Sequence, residues 1–147
     1  MSILEIKNLT IVNKNTHQRL LDNISFTLDQ GSTLGIVGES GSGKTLTGLS
    51  ILGLLDKSVF KITKGAIIFN GINILELSEE ELQKIRTKSI SIVFQEPMLS
   101  LNPVQKISTQ LNEVIRLHLK SESANEDNIV KAILVETGLH DTQKILD

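Results

Sequence analysis

Residues 3–12 alternate apolar with polar side chains at Leu4, Ile6 and, after a slip, Leu9 and Ile11, the pattern of a half-buried strand or strand pair. Residues 13–18 are polar throughout and form a turn. Alternation resumes over residues 20–28 through Ile24, Phe26 and Leu28, and Asp29-Gln30-Gly31-Ser32 turns the chain again. Together these segments predict a small antiparallel layer. Thr33-Leu34-Gly35-Ile36-Val37 is different: short, apolar and β-branched without alternation, it suits a strand buried on both faces. Beyond it Leu46, Leu49, Ser50, Ile51, Leu52, Leu54 and Leu55 make a mostly apolar helical segment free of proline.

The second half continues the mixture. Residues 57–64 hold three lysines around Val59, Phe60 and Ile62, which predicts a solvated connector with a few anchoring apolar groups. Gly65-Ala66-Ile67-Ile68-Phe69-Asn70-Gly71 predicts a strand closed by an Asn-Gly turn. Ser78-Glu79-Glu80-Glu81 carries Ser at a helix cap and Glu three residues on, so a helix is expected over residues 79–86 with Leu82 and Ile85 inward. Residues 90–94 form a second candidate for a buried parallel strand. The loop that follows contains Pro97 and Pro103, the only two prolines. Ile107, Leu111, Val114, Ile115 and Leu119 then keep helical spacing, as do Ile129 and Ile133, with Val130 and Leu134 beside them, and Gly138 is placed to close the second of this amphipathic pair.

Between the first buried-strand candidate and the first helix stands Gly38-Glu39-Ser40-Gly41-Ser42-Gly43-Lys44-Thr45, which fills every fixed position of G-x-x-x-x-G-K-[ST]. The glycines remove side chains where the backbone must curl and bring its N–H groups to phosphate oxygens. A helix starting near Gly43 aims its unpaired N–H groups and positive dipole end at the same anion. Lys44 supplies a mobile charge for β- and γ-phosphates, and the Thr45 hydroxyl is placed to ligate Mg²⁺. Glu39 repels phosphate and is expected to face solvent. A glycine-rich turn that merely caps a helix is the plain alternative. A dinucleotide site is disfavoured, because Gly38, Gly41 and Gly43 do not space as G-x-G-x-x-G.

Bulk properties narrow the field. The chain has 147 residues, 39% hydrophobic and 22% charged, with fifteen Lys and Arg against seventeen Asp and Glu for a net charge of -2. That length supports one domain with a core, and that balance does not signal nucleic acid. No apolar run approaches the roughly 18 residues of a membrane span, so membrane association is expected through a partner. The first residues lack the form of a signal peptide. Cysteine is absent, which removes disulfides and thiolate metal sites and agrees with a cytoplasmic location.

With the glycine loop and Phe94-Gln95-Glu96-Pro97-Met98-Leu99-Ser100-Leu101-Asn102-Pro103 both in view, the chain resembles the ATP-binding subunit of ATP-binding cassette transporters, in the branch that imports peptides, nickel or nickel chelates. Residues 35–45 look like its Walker A region, and the Gln95 segment looks like its Q-loop. The resemblance implies an α/β fold of the P-loop NTPase type: an antiparallel β layer over residues 1–32, a parallel P-loop core with an inserted strand and helix over 33–96, and the Q-loop with the start of a helical subdomain over 97–147. It implies ATP and Mg²⁺ as cofactors, held by Gly38, Glu39, Ser40, Gly41, Ser42, Gly43, Lys44 and Thr45, with Thr45 and Gln95 completing the metal shell.

Gln95 is further implied to sense the γ-phosphate and move the part that meets the membrane subunits; a neutral amide can ligate metal through oxygen and orient water through nitrogen. The implied partners are a second ATP-binding subunit, two membrane-spanning permease subunits and, indirectly, an extracellular solute-binding protein, at the cytoplasmic face of the membrane.

The family stacks adenine on an aromatic residue near the first strand, where this chain has Ile11, Val12 and Asn13; His17 is the nearest flat ring. The family's signature sequence, Walker B carboxylates and switch histidine lie beyond the point this sequence reaches, and His118 and His140 precede them. The expectation is therefore the N-terminal half of a subunit that, at full length, hydrolyses ATP and couples this to solute uptake, with nucleotide binding and no turnover in this stretch alone. A nucleotide- or partner-binding module that hydrolyses nothing is the competing reading, and a phosphotransferase is a third that leaves Gln95 without a role.

Overall fold

Alternation over the first thirty residues becomes the first layer. The computed structural model describes residues 1–95, 101–119 and 126–146, of which 117–119 are described by backbone alone. Strand β1 (Ser2–Asn13) pairs antiparallel with β2 (Arg19–Asp29) on one side and with β3 (Phe60–Phe69) on the other, and β3 pairs with the short β4 (Ile72–Asn73), giving the order β2-β1-β3-β4. Leu4, Ile6, Leu9 and Ile11 of the central strand are buried, and Leu21, Ile67 and Phe69 join them from the flanking strands.

The slip in the hydrophobic pattern has a structural cause. Register shifts between Ile6 and Leu9 against β2 and between Lys7 and Thr10 against β3, and Asn8 takes a positive φ of 50°. This is a β-bulge: one extra residue restores Leu9 and Ile11 to the buried side. Gly65 makes it possible. A Cβ there would lie 2.5 Å from the Lys7 carbonyl oxygen and 2.6 Å from Leu9 Cα, so the bulged backbone occupies the space a side chain would take.

The connector expected over residues 57–64 is corrected, because β3 begins at Phe60 and pairs Phe60 with Asn13, Lys61 with Val12 and Ile62 with Ile11. Phe60 and Ile62 are half-buried while Lys61 and Thr63 are exposed, so the lysines occupy the wet face of a real strand. The Asn-Gly turn is present: Asn70 and Gly71 take φ of 48° and 81° between the paired Phe69 and Ile72, the positive pair that a two-residue hairpin of type I′ requires. A 3-10 turn (Ile74–Glu76) leads to helix α2 (Glu79–Lys88). Its capping box forms as expected, with Ser78 N–H donating to Glu81 at 2.8 Å and Glu81 N–H to Ser78 Oγ at 3.4 Å. Leu82 is buried and Ile85 half-buried.

Helix α1 (Lys44–Ile51) is shorter than the apolar run predicted. It ends because Gly53 N–H turns back to Ser50 O at 3.1 Å and Leu54 N–H to Leu49 O at 2.9 Å, a paired closure that leaves Leu54 exposed.

The two segments expected as buried parallel strands are also corrected. Residues 33–37 and 90–94 are hydrogen-bonded into no sheet, and apart from the half-buried Ile90 their large apolar side chains are exposed, with Val37 at 93% and Val93 at 88%. Their composition suits a strand covered on both faces, but among the described residues no neighbouring strand supplies the ladder that would bury them.

Chain contacts divide the molecule into two units, Met1–Arg86 and Thr87–Asp147. In the second, α3 (Ile107–Leu119), α4 (Glu126–Glu136) and α5 (Thr142–Leu146) enclose a small core of Ile115, Val130, Leu134 and Leu146, with Ile107, Leu111, Ile129 and Ile145 packed against it. Val114 and Ile133, expected inward from their spacing, are about half exposed. Gly138 closes α4 as expected, its N–H on Val135 O at 3.0 Å and Leu139 N–H on Leu134 O at 2.9 Å. In the first turn of α3, the Gln110 amide accepts from Asn102 N–H at 2.9 Å and donates to the Asn102 and Gln105 carbonyls, which holds the turn around Pro103. Pro97, with the rest of residues 96–100, lies outside the described residues.

Candidate functional site

The glycine loop enters α1 through a turn. Gly41 and Gly43 have φ of 80° and 92°, Ser42 N–H donates to Glu39 O at 3.2 Å, and the first helical residue is Lys44. The Lys44 ammonium lies back over the loop, donating to the carbonyls of Gly38 and Glu39 at 2.7 Å each and to Ser42 Oγ at 3.3 Å. Gly38 sits so close under Ser42 that a Cβ would come within 2.7 Å of its Oγ. The loop is thus a curled, cation-topped segment whose side chains have been removed where it bends.

Gly43 is the pivot. It occupies the helix cap in a left-handed conformation with no side chain to cap the first turn, so the leading N–H groups of α1 keep no local acceptor. No acidic residue stands in that first turn, which leaves the positive end of the helix dipole uncompensated on its own helix. A Cβ on Gly43 would strike Leu21 Cδ2 at 2.3 Å and approach the Leu20 carbonyl at 3.4 Å. The loop is therefore seated on β2, a contact between distant stretches that the motif alone does not reveal. Inside α1, Thr47 Oγ1 and N–H both donate to Gly43 O, and the buried Ser50 hydroxyl donates to Thr47 O at 2.7 Å.

Of the residues singled out from sequence, Gly38, Glu39, Ser42 and Lys44 are joined by these hydrogen bonds, and Ser40, Gly41 and Thr45 lie between and beside them, all three exposed. Glu39 is exposed as expected. Gln95 is an exposed residue at a bend of the second unit. Near the first strand, Ile11 is fully buried and the Asn13 carboxamide accepts from the N–H groups of Asn15 and Thr16 at 2.8 and 3.1 Å, so both are committed to structure. His17 is exposed at a turn with φ of 57°.

Uncapped helical amides beside an ammonium are the groups an anion would need, and the sequence of this loop can be set against known families. A profile of ABC transporters matches residues 21–146. The chain belongs to that family. Among curated relatives, the dipeptide transport ATP-binding protein DppD of Lactococcus lactis subsp. cremoris is 46% identical over 124 residues, which is 82% of this chain and 35% of DppD. The metal-staphylopine import system ATP-binding protein CntD of Staphylococcus aureus strain NCTC 8325 is 36% identical over 146 residues, covering 99% of this chain and 53% of CntD. The chain therefore spans between about a third and about a half of the length of these relatives.

Solved structures agree. The dimeric bacterial ABC transporter cassette MJ0796 superposes with a TM-score of 0.75 at 27% identity over 98% of this chain and 60% of that one. The same cassette in a post-hydrolysis state bound to ADP and Pi gives a TM-score of 0.69 at 29% identity over 88% of this chain and 54% of that one. The ABC cassette is thus the fold of this α/β chain, even though its segments 33–37 and 90–94 stay outside any sheet. Among the described residues, no helix is long and apolar enough to cross a membrane.

One residue of consequence carries no motif. Arg86 of α2 donates through Nε to Leu52 O at 2.7 Å and through Nη2 to Gly53 O at 3.2 Å, at the opposite end of α1 from the glycine loop, and pairs with Glu79. Sequence inspection places it only as the end of a capped helix. The signal that could have found it is a missing one: α1 has no basic residue in its own last turn, so a cation from elsewhere is expected there.

Proposed function

We propose that this chain is the nucleotide-binding part of an importer ATPase, taking Mg-ATP at Gly38 to Thr45. The observation that carries the reading is the Lys44 ammonium held 2.7 Å from the Gly38 and Glu39 carbonyls, over a glycine loop that runs into an uncapped helix start. Uncapped amides and a single ammonium suit a polyphosphate, because the amides fix oxygen positions and the ammonium balances charge without demanding one geometry. In this role the backbone of Gly38, Glu39, Ser40, Gly41, Ser42 and Gly43 cradles phosphate oxygens. Lys44 neutralises the β- and γ-phosphates. The exposed Thr45 hydroxyl and the exposed Gln95 amide are the oxygen donors we assign to Mg²⁺, and Gln95 also reports the state of the γ-phosphate. Bound Mg²⁺ would spread the negative charge that develops during phosphoryl transfer.

The relatives named above serve dipeptide and metal-staphylopine import, which supports peptides or metal chelates as the transported class. We assign a cytoplasmic, peripheral position with a second ATP-binding subunit and two permease subunits as partners. A solute-binding protein enters only indirectly, and no nucleic acid is involved.

Calorimetric titration of the chain with ATP in the presence and absence of Mg²⁺ tests the nucleotide assignment. Binding is expected in the unaltered chain and loss of at least about tenfold in affinity in Lys44→Ala, the scale of a lost charged hydrogen-bonding group at a desolvated phosphate. Equal affinity in both would overturn it.

A further inference from the structure

Helix α1 has little to hold itself together. It is eight residues long, contains Thr45, Thr47 and Gly48, carries no side-chain cap at its start, no acid in its first turn and no base in its last. Helices of this length are marginal without tertiary support, and glycine and β-branched residues weaken them further. Yet its first turn must present amides in fixed directions if the glycine loop is to hold phosphate. Beyond the seat of Gly43 on β2, further support comes from the other end.

That end is gripped by Arg86. The side chain is 19% exposed, and its guanidinium spans the carbonyls of Leu52 and Gly53 with two N–H groups while a third side of the fork meets Glu79. Leu82, one helical turn earlier on the same face of α2, packs against Gly53 so closely that a Cβ on Gly53 would sit 3.0 Å from Leu82 Cδ1 and 3.3 Å from Arg86 Nη2. A cation against the last carbonyls of a helix satisfies orphan acceptors and opposes the negative end of its dipole. The planar fork serves three acceptors at once, which a lysine ammonium at the end of a flexible stem cannot do with the same preorganisation.

We infer that Arg86 is a positioning residue for the phosphate loop: it acts through α1, about 12 Å of helix away, by fixing the far end of the element whose near end presents the amides. The inference rests on the Mg-ATP reading above. It makes Arg86 the supplier of the C-terminal cation that α1 lacks, and it ties the loop to α2.

The test compares Arg86→Ala, Arg86→Lys and Glu79→Gln with the unaltered chain in two measurements: affinity for Mg-ATP and amide hydrogen exchange of the free protein. Arg86→Ala is expected to weaken Mg-ATP by about fivefold and to speed exchange at residues 49–54, while exchange in β1 and β3 stays unchanged. Arg86→Lys should fall between the two, and Glu79→Gln should stay within about twofold of the unaltered chain, since the carbonyl contacts remain. Unchanged Mg-ATP affinity in Arg86→Ala overturns the inference. So does parallel loss of protection in β1 and β3, which would make Arg86 a general stabiliser, or an effect of Glu79→Gln as large as that of Arg86→Ala, which would locate the effect in the ion pair. If the unaltered chain binds no Mg-ATP, the nucleotide reading fails first, an outcome distinguishable from binding that ignores Arg86.

Discussion

Arg116 of α3 donates through Nε to the Glu126 carboxylate of α4 at 2.8 Å, and the two partners sit in opposite environments: the arginine side chain is 63% exposed, the glutamate 3%. The carboxylate is the desolvated member, so the guanidinium matters more to the glutamate than the reverse. Arg116→Ala is expected to destabilise the second unit by about 1–3 kcal/mol, read as a lower urea midpoint. Adding Glu126→Gln to that variant should recover part of the loss, because the buried group left unpaired is then neutral. A double variant no more stable than Arg116→Ala would contradict the assignment.

Ser78 and Glu81 predict a pH dependence at α2. The Ser78 side-chain hydrogen bond, followed by the Ser78 backbone N–H, holds the Glu81 carboxyl below its ordinary value of 4.5. A lowered carboxyl pKa stabilises the folded form above the ordinary value, and that contribution is lost as pH falls through the folded pKa. The start of α2 should therefore lose exchange protection below about pH 4.5 relative to its level at pH 6. In Ser78→Ala the Glu81 titration, followed by NMR of its carboxyl carbon, should move up toward the ordinary value. Titration at the same position in both forms would count against the capping box.

Gly43 is expected to tolerate no side chain, for two separable reasons: its φ of 92° and the 2.3 Å approach of Leu21 Cδ2 to a Cβ there. Gly43→Ala should cost about 2–4 kcal/mol and abolish phosphate binding. Combining it with Leu21→Ala relieves the collision but not the backbone strain. A double-mutant cycle should accordingly show favourable coupling of about 1 kcal/mol, and zero coupling would mean that the loop does not rest on β2.

Gly65 and Gly31 offer a control of backbone strain against collision. Both have positive φ, 103° and 75°, but a Cβ at 65 meets the β1 backbone within 2.7 Å at three atoms, whereas one at 31 meets nothing within 4 Å. Gly31→Ala should cost about 1 kcal/mol and Gly65→Ala clearly more, since backbone cannot step aside as a flexible side chain can. Thermal unfolding of the two variants measures the difference, and equal shifts would remove the bulge from the account of the fold.

What could be read directly was local. Asn70-Gly71, Ser78 with Glu81, and Gly138 each act through hydrogen bonds within a few residues, so spacing alone located a hairpin, a helix start and a helix end. The curled glycine loop was legible for the same reason: eight contiguous residues contain both the bend and the charge. Phe60 to Lys64 was not, because its lysines mask an alternation that becomes visible only with β1 beside it. The orientation of the α3 and α4 pair was also hidden. Helical spacing allows Ile133 as readily as Val130 and Leu134 to face inward, and the position of Ile115 and Leu146 chose between them.

The amino-acid sequence by itself determined where this chain turns, where its helices begin, and that residues 38–45 carry the complete G-x-x-x-x-G-K-[ST] pattern at a helix start, since each depends on neighbours a few bonds away. Tertiary structure alone decided that the loop is seated on Leu21, that Gly65 yields space to a bulge in β1, and that Arg86 closes the far end of α1. It also left residues 33–37 and 90–94 unpaired among the described residues, since a strand is completed by the hydrogen bonds of its neighbours and not by its own composition.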